Sequence, residues 1–207
     1  MAYLPINLDI RNRRCVVVGG GSVAERKVEA LREFDADVLV VAPRLTPALE
    51  SLVSENAILH ESREFSPECL HNASLVIAAT GNHHVNASVS FIAERLRIPV
   101  NVVDDPVSCT FIMPAIVRRG DLVISVSTSG KSPLLARRIK ERLESEIGSE
   151  YGVLVELIGI LRNEVQAKYA DPDQRKQALE RIFDSEMLAM IASGEREQAL
   201  EAGRSCI

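Results

Sequence analysis

The segment Cys15-Val-Val-Val-Gly-Gly-Gly-Ser-Val-Ala24 decides the fold of this chain. Residues 14–18, which are apolar from Cys15 onward, predict a buried strand, and apolar residues recur at helical spacing after the glycines. Between the two lies the pattern Gly-x-Gly-x-x-Ala. Its first glycine permits a tight turn, its second lets a pyrophosphate approach the backbone, and its small third residue lets helix and strand pack closely. Strand, turn and helix in this order are the fingerprint of a dinucleotide-binding βαβ unit.

The predicted phosphate-binding residues lie at the start of the helix, where unpaired backbone N–H groups and the helix dipole favour an anion. They are Gly19, Gly21, Ser22, Val23 and Ala24. The buried face of the helix is predicted at Ala24, Val28 and Leu31. Four charged side chains are then expected in solvent, at Glu25, Arg26, Lys27 and Glu29. The alternative is a glycine turn that binds no nucleotide.

The ribose end of the fingerprint departs from its usual form. An acidic residue that binds the ribose hydroxyls is expected about 20 positions further on, at the end of the second strand. That place holds Ala42-Pro43-Arg44, so Pro43 and Arg44 are the candidate residues for this end of the cofactor. The guanidinium of Arg44 is suited to a 2′-phosphate. These residues alone leave the choice between NAD and NADP open.

Further apolar runs predict the remaining strands of an α/β fold. They cover residues 38–42, 57–61, 75–79 and 100–103, and a helix is predicted over 86–96. Strands that alternate with helices predict a Rossmann-type, doubly wound parallel sheet. Thr80 follows the 75–79 strand directly, so we expect it beside the nucleotide at the carboxyl edge of the sheet.

The pattern changes in the second half of the chain. Residues 111–117 and 122–127 predict a hairpin added to the parallel sheet. Ser132-Pro133 predicts the start of a helix that runs to about residue 147 and carries Leu135, Ile139 and Leu143 on one face. From residue 151 onward the pattern is helical, with a break at Asp171-Pro172 and a last helix near Ser193. The predicted division is a Rossmann domain over 1–113, a small region over 114–147 and a helical domain over 148–207.

Composition and charge narrow the class of protein. The chain has 207 residues, is 46% hydrophobic and carries a formal net charge of −5, which argues against a general nucleic-acid-binding protein. We find no signal-peptide pattern and no apolar run of the ~20 residues that cross a membrane, so no membrane association is expected. The cysteines lack zinc-ligand spacing, and we expect free thiols in a cytoplasmic protein. They are Cys15, Cys69, Cys109 and Cys206.

Two groups of polar residues could take part in catalysis or ligand binding. Asp104-Asp105-Pro106 places two carboxylates just past a strand end, where one could act as a general base; alternatively, Asp105 begins a turn and Asp104 caps a backbone N–H. Thr128, Ser129, Gly130 and Lys131 form a small-residue loop before a helix, which predicts an anion site with help from Arg137. The alternative for this basic helix is a solvated face.

His83-His84 follows the 75–79 strand and raises the question of a metal site. Adjacent histidines point in different directions, and no third ligand lies at a suitable spacing. We therefore expect surface loop residues here and no metal site.

Several motifs in combination resemble the precorrin-2 dehydrogenase family of sirohaem biosynthesis. They are Leu4-Pro5-Ile6, the glycine-rich segment through Lys27, Ala78-Ala-Thr80, Asn101-Val-Val-Asp-Asp-Pro106, Phe111-Ile-Met-Pro114 and Ser127-Thr-Ser-Gly-Lys-Ser-Pro133-Leu-Leu-Ala-Arg137. The resemblance covers residues 1–145 in register and the helical tail more loosely. The length of the chain predicts the stand-alone form, without the methyltransferase domain of the multifunctional sirohaem synthase.

The resemblance implies NAD-dependent oxidation of precorrin-2 to sirohydrochlorin, and in some members insertion of ferrous ion, with cobaltous ion as another candidate substrate. NAD is implied because the family lacks the acidic ribose residue and still uses NAD. Asp104 is implied as the catalytic residue, and the Thr128 loop, Lys131 and Arg137 as contacts for the acidic tetrapyrrole. A homodimer is also implied, with residues 114–147 as the dimerisation region and the segment after about Met113 exchanged between subunits.

Two other classes of function remain open at this stage. A non-catalytic NAD-sensing regulatory domain would explain the glycine fingerprint and a dimer, but would give Asp104 and the Thr128 loop no role. A tetrapyrrole or metal carrier would bind sirohydrochlorin without turnover.

Overall fold

The computed structural model describes residues 3–183 and 185–207. The chain consists of two compact units, Met1–Met113 and Pro114–Ile207. The finer division into three regions stays a prediction.

The first unit is built on a five-stranded parallel sheet. Its strands are β1 (Arg14–Val18), β2 (Asp37–Val41), β3 (Leu59–Glu61), β4 (Leu75–Ala78) and β5 (Val100–Val102), in the order β3-β2-β1-β4-β5. Val18 at the end of β1 pairs with Val41 on one side and Ala78 on the other. Strands β2 and β3 lie on one side of β1, and β4 and β5 lie on the other side, so the strand order reverses between β1 and β4. The carboxyl ends of β1 and β4 form the crevice in which such sheets bind ligands.

Three α-helices cover the faces of this sheet: α1 (Ser22–Arg32), α2 (Pro47–Ser54) and α3 (His83–Arg95). The continuous apolar run of β1 is explained by burial on both faces. Cys15 and Val17 pack in the cluster that contains Val28 of α1, whereas Val16 and Val18 pack in the cluster that contains Val89 of α3. Short 3₁₀ turns lie at Pro67–Leu70 and Pro106–Ser108.

The second unit begins with an antiparallel hairpin of β6 (Ala115–Arg119) and β7 (Leu122–Val126), whose two-residue loop contains Gly120 with φ +57. The prediction that this hairpin extends the parallel sheet is wrong, because β6 and β7 form a two-stranded sheet of their own. The predicted first strand also starts too early. Pro114 precedes β6 and has no backbone N–H to donate to a sheet ladder.

Helix α4 (Pro133–Glu146) follows the hairpin. The Ser132 hydroxyl accepts a hydrogen bond from the Leu135 N–H at 3.3 Å, so the predicted N-cap is confirmed. At the other end, the Arg119 guanidinium donates to the Ile147 carbonyl at 2.9 Å and to the Glu144 carbonyl at 3.1 Å. Arg119 thereby binds carbonyls that have no partner within the helix.

The remaining helices are α5 (Glu150–Lys168), α6 (Pro172–Phe183), α7 (Met187–Ala192) and α8 (Arg196–Ser205), and they share a core around Leu157, Leu161 and Ile182. The predicted break at Asp171-Pro172 is confirmed, but the last helix begins at Arg196 and the separate helix α7 was not expected. The helices approach closely at Gly203 of α8, where a Cβ would lie 2.4 Å from Leu161 Cδ1. Within the described residues, no helix is long and apolar enough to cross a membrane.

Candidate dinucleotide-binding site

The turn between β1 and α1 is wedged against the loops that follow the two neighbouring strands. Gly19 has φ +124, and a Cβ there would lie 2.4 Å from the carbonyl oxygen of Ala79. A Cβ on Gly20 would lie 2.1 Å from the carbonyl oxygen of Arg44. The Thr46 N–H donates to the Gly20 carbonyl at 3.0 Å, which holds the two loops together. Only glycine fits at positions 19 and 20.

Gly21 is in the opposite situation. No atom lies within 4 Å of a Cβ built on it, so this side of the turn is open. Gly21 is also the N-cap of α1 and supplies no side chain to bind the first N–H groups of the helix. By contrast, α2 is capped by Thr46 and α3 by Asn82. The open space and the uncapped helix start, with exposed Ser22 and half-buried Val23, fit a dinucleotide pyrophosphate.

The loop after β2 holds the residues predicted for the ribose end. Pro43 and Arg44 are exposed, whereas Ala42 is buried. Arg44 makes no side-chain hydrogen bond or ion pair within residues 3–183 and 185–207. The Thr46 hydroxyl donates to the Glu25 carboxylate at 2.6 Å. Glu25 is therefore half-buried and hydrogen-bonded, which corrects its predicted position in solvent.

Thr80, at the end of β4, is held in place by a buried amide that the sequence analysis missed. The Asn86 side-chain oxygen accepts hydrogen bonds from the Thr80 hydroxyl at 2.7 Å and from the Thr80 N–H at 3.2 Å. The Asn86 amide nitrogen donates to the Thr80 carbonyl at 3.1 Å. Asn86 lies one turn into α3, where polar residues are commonly solvated, and a buried asparagine gives no signal in a helical pattern.

The two adjacent aspartates have different surroundings. Asp105 accepts hydrogen bonds from the Ser108 hydroxyl at 2.6 Å and from the Ser108 N–H at 3.4 Å, so it caps the turn at Pro106–Ser108. The Ser108 hydrogen bond holds the pKa of Asp105 below its ordinary value. Asp104 is exposed, has φ +61 and bonds to no side chain in the described part of the chain. Of the alternative drawn from the sequence, the turn that begins at Asp105-Pro106 is confirmed, but the residue that caps a backbone N–H is Asp105 and not Asp104.

Lys27 lies on α1 close enough to Asp104 and Cys109 to be affected by their charges. It is half-buried rather than solvated, which corrects the expectation for this side chain. Burial lowers the pKa of the Lys27 ammonium, the charge of Arg26 lowers it further, and the carboxylate of Asp104 acts in the opposite direction. The Cys109 thiol receives a hydrogen bond from the Val102 N–H at 3.1 Å, and burial raises its pKa.

In the second unit, the loop predicted to bind an anion is a tight turn. The Lys131 N–H donates to the Thr128 carbonyl, and the Ser132 N–H donates to the Thr128 hydroxyl, both at 3.0 Å. Ser129 and Gly130 have positive φ angles of +52 and +81. Lys131 is exposed, whereas Arg137 forms an ion pair with Glu141 at 2.8 Å.

The histidine pair lies at the start of α3, not in a loop, and both side chains are exposed. Among the residues the structure describes, no group of three His, Cys, Asp or Glu side chains is placed to hold a metal ion.

A glycine turn with an uncapped helix start, at the point where the strand order of a parallel sheet reverses, defines a dinucleotide-binding protein of the Rossmann class. Comparison with known families agrees, since a family model described as NAD(P)-binding matches residues 6–115. The chain belongs to this NAD(P)-binding family. The sirohaem biosynthesis protein central model matches residues 119–146, and the sirohaem synthase dimerisation region matches residues 150–204. These matches confirm the resemblance drawn from the sequence motifs.

Similar curated proteins carry the name siroheme synthase. The one from Nitrosospira multiformis is 44% identical over 206 residues, which is 98% of this chain and 43% of that protein. The one from Nitrosomonas europaea is 40% identical over 202 residues, which is 97% of this chain and 42% of that protein. The chain thus spans less than half the length of these relatives.

Among solved structures, a similar chain is described as SirC, precorrin-2 dehydrogenase. The TM-score is 0.75 at 24% sequence identity, and the match covers 98% of this chain and 100% of that chain. At this identity the likeness establishes the fold. The predicted fold class, a Rossmann-type sheet followed by a helical C-terminal part, is confirmed.

The glycine turn generates a paired prediction. Gly20→Ala should lower the free energy of unfolding by about 1–3 kcal/mol, because its Cβ meets a backbone carbonyl. Gly21→Asp should leave the stability unchanged, since that Cβ meets open space and aspartate is a good N-cap, but should abolish NAD binding by repelling the pyrophosphate. Urea unfolding followed by circular dichroism and calorimetric titration with NAD test the pair. Unchanged NAD affinity in Gly21→Asp would contradict the assignment.

The Asp105 cap predicts a shifted titration. In the native chain the pKa of Asp105 lies below its ordinary value of 3.8, and Ser108→Ala should raise it toward that value. A lowered pKa contributes stability that is present above the ordinary pKa and lost as the pH falls through the lowered one. NMR titration of the Asp105 carboxyl carbon measures the shift, with Ser54→Ala as a control at an exposed serine. Equal values in the native and Ser108→Ala proteins would be inconsistent with the cap.

Proposed function

We propose that this chain is an NAD-dependent dehydrogenase that oxidises precorrin-2 to sirohydrochlorin in sirohaem biosynthesis. The observation that carries the proposal is the Asp104 carboxylate, which makes no hydrogen bond among the described residues. Asp104 follows β5, on the same sheet in which the loops after β2 and β4 flank the glycine turn. The names of the similar curated proteins and of the similar solved structure support the choice of reaction.

Asp104 is the proposed general base. Removal of a hydride from the macrocycle leaves a cation that must lose a proton. The exposed Asp104 carboxylate, which accepts no hydrogen bond from the described residues, is available to take that proton. Asp105 is a poor candidate because its two oxygens accept hydrogen bonds from Ser108. The positive φ of Asp104 is a conformation that aspartate tolerates better than most residues, and such angles often occur at functional positions.

The nicotinamide cofactor would be held by Gly19, Gly21, Ser22, Val23 and Ala24 at the start of α1, with Thr80 and the Pro43-Arg44 loop on either side. When bound, NAD supplies the hydride acceptor. Asn86 holds Thr80 rigidly through three hydrogen bonds, so this wall of the site is preorganised. We propose NAD as the physiological oxidant because the resembling family uses NAD without an acidic ribose residue.

The substrate is rich in carboxylates, and the proposed contacts for them lie in the second unit. In this turn Thr128 is half-buried and Ser129, Gly130 and Lys131 are exposed. Because backbone N–H groups of the turn already donate within it, the proposed contacts are the Lys131 ammonium, which has no ion-pair partner among the described residues, and the Arg137 guanidinium once Glu141 yields its ion pair. Insertion of ferrous or cobaltous ion into the product also requires a group that accepts the pyrrole protons, and Asp104 could serve there too. The assay therefore includes a measurement with metal ion.

The proposed assay is anaerobic incubation of the purified chain with freshly made precorrin-2 and NAD. NADH formation and the absorbance of sirohydrochlorin are followed, first without metal and then with ferrous or cobaltous ion. Asp104→Asn should retain NAD and tetrapyrrole binding and lose at least about a hundredfold in turnover, the low end of a general-base contribution. The matched control is Asp105→Asn, which keeps an oxygen to cap the turn and should retain turnover.

The outcomes separate the candidate functions. NADH formation that depends on Asp104 supports the dehydrogenase, and metal uptake faster than in a protein-free solution adds the chelatase. Turnover that survives in Asp104→Asn removes the general-base role. Binding of both ligands without any NADH in the native chain would favour the NAD-sensing domain or the tetrapyrrole carrier.

We also propose a homodimer, formed through the second unit, and a cytoplasmic location. The dimer is supported by the match of residues 150–204 to a dimerisation region and by the apolar face of α4, where Leu134 is 63% and Leu135 is 51% exposed in the single chain. The location is supported by four free cysteines, which persist in reducing compartments.

The proposed dimer predicts the mass of the protein in solution and the effect of a substitution on the exposed apolar face of α4. Light scattering should give twice the 22.7 kDa of one chain. Leu135→Glu should shift the mass toward one chain, because a carboxylate would be buried in the interface. Leu59→Glu is the control, since Leu59 is as exposed but lies on the edge strand of the first unit. A native mass of one chain at micromolar concentration would argue against the dimer.

A further inference from the structure

Lys27 of α1 is a charged side chain near the site to which the proposed reaction gives no role. It is half-buried, and it forms no hydrogen bond or ion pair with the described residues. Removing a charge from water is costly unless an opposite charge compensates it. A half-buried ammonium without an ion-pair partner is therefore suited to bind an anionic group of a ligand.

Packing in the first unit places Lys27 beside the loop that follows β5. Ala24 and Val28, on either side of Lys27 in α1, belong to the apolar cluster against which Val103 packs, and Val103 directly precedes Asp104. The charge of Asp104 acts on Lys27, yet no ion pair joins the two side chains. The ammonium and the carboxylate are thus neighbours that leave one another free to contact a ligand.

The Lys27 ammonium is accessible from outside the protein. In the described part of the chain, Arg14 Nε is the fully buried side-chain nitrogen or oxygen that lacks a hydrogen-bond partner, so Lys27 Nζ is not fully buried. Side chains of a helix lean toward its amino end. The amino end of α1 follows the glycine turn at the carboxyl edge of the sheet, so Lys27 leans toward the crevice.

The position beside Asp104 selects the anion. If Asp104 takes a proton from the macrocycle, the ring must lie against this carboxylate, whose charge repels the carboxylates at the edge of the ring. A cation close to Asp104 offsets that repulsion. The dinucleotide pyrophosphate, in contrast, already has the uncapped N–H groups at the start of α1 as its partners.

We infer that Lys27 binds a carboxylate of the tetrapyrrole beside Asp104 and thereby positions the macrocycle against this base. The contact is a charge-assisted hydrogen bond, which the ammonium donates to a carboxylate oxygen. The inference rests on the proposed function and adds a substrate-binding residue in the first unit to the contacts proposed in the second.

The experiment uses sirohydrochlorin as the probe, because binding of the product can be measured without turnover. Its fluorescence is titrated with the full chain, and NAD binding is measured by calorimetry. Lys27→Met keeps the apolar stem and removes the charge. It should weaken sirohydrochlorin binding by about tenfold or more, the loss of one charge-assisted hydrogen bond, and change NAD affinity by less than about twofold. Lys27→Arg should restore most of the tetrapyrrole affinity.

Arg26→Met is the matched control, since it removes the same charge from the neighbouring, exposed position of α1. It should leave both affinities unchanged. Salt provides a readout that a purely structural role of Lys27 would not change. Added salt weakens ion pairs, so the tetrapyrrole affinity of Lys27→Met should fall less steeply with salt than that of the native chain.

The outcomes distinguish this inference from the proposed function. If Lys27→Met binds sirohydrochlorin as tightly as the native chain, or loses NAD and sirohydrochlorin affinity equally, the role of Lys27 is overturned and the dehydrogenase stands. A native chain that binds no sirohydrochlorin also overturns the inference, while NADH formation from precorrin-2 decides the proposed function separately. A selective loss of tetrapyrrole affinity, restored by Lys27→Arg and absent from Arg26→Met, is the supporting result.

Discussion

The site depends on a steric constraint, the close approach of one glycine turn to two neighbouring loops. Gly19 lies against the Ala79 carbonyl and Gly20 against the Arg44 carbonyl, at distances that exclude a Cβ at either position. Both loops follow strands that pair with β1, so the same strand register that builds the sheet also brings the loops onto the turn. Packing at this junction leaves Gly21 alone facing open space. A pyrophosphate can use that space because no atom of the described residues lies within 4 Å of a Cβ built on Gly21.

The starts of the helices differ in whether a side chain caps their first backbone N–H groups. Thr46, Asn82 and Ser132 cap α2, α3 and α4 with their side chains, whereas the start of α1 has glycine at its cap. Among the helices of the first unit, α1 is therefore the one whose start has no side-chain cap, and its first N–H groups are available to a ligand. The two aspartates after β5 show the same division, since Asp105 is bonded to Ser108 and Asp104 is left without a hydrogen bond in the described residues.

Different contacts stabilise the two units. The first buries β1 between two apolar clusters, so its sheet has no solvent-facing side at the centre. The second ties its hairpin to the end of α4 through Arg119 and packs its terminal helices around Leu157 and Leu161. Helix α4 nevertheless leaves Leu134, Leu135 and Ile139 exposed in the single chain. An apolar surface of this kind is typical of an interface.

The sequence by itself determined the parallel sheet, the glycine turn and the capped start of α4, because these follow from local periodicity and from residues with special backbone or capping properties. It also located the residues of the site along the chain, since strand ends converge at one edge of such a sheet. Tertiary structure decided what local pattern could not. It set the hairpin apart as its own sheet, buried Asn86 against Thr80, drew Glu25 and Lys27 out of solvent, and assigned the cap to Asp105 instead of Asp104. These features depend on contacts formed in the folded chain and on local backbone angles. The spacing of hydrophobic residues along the sequence encodes neither of them.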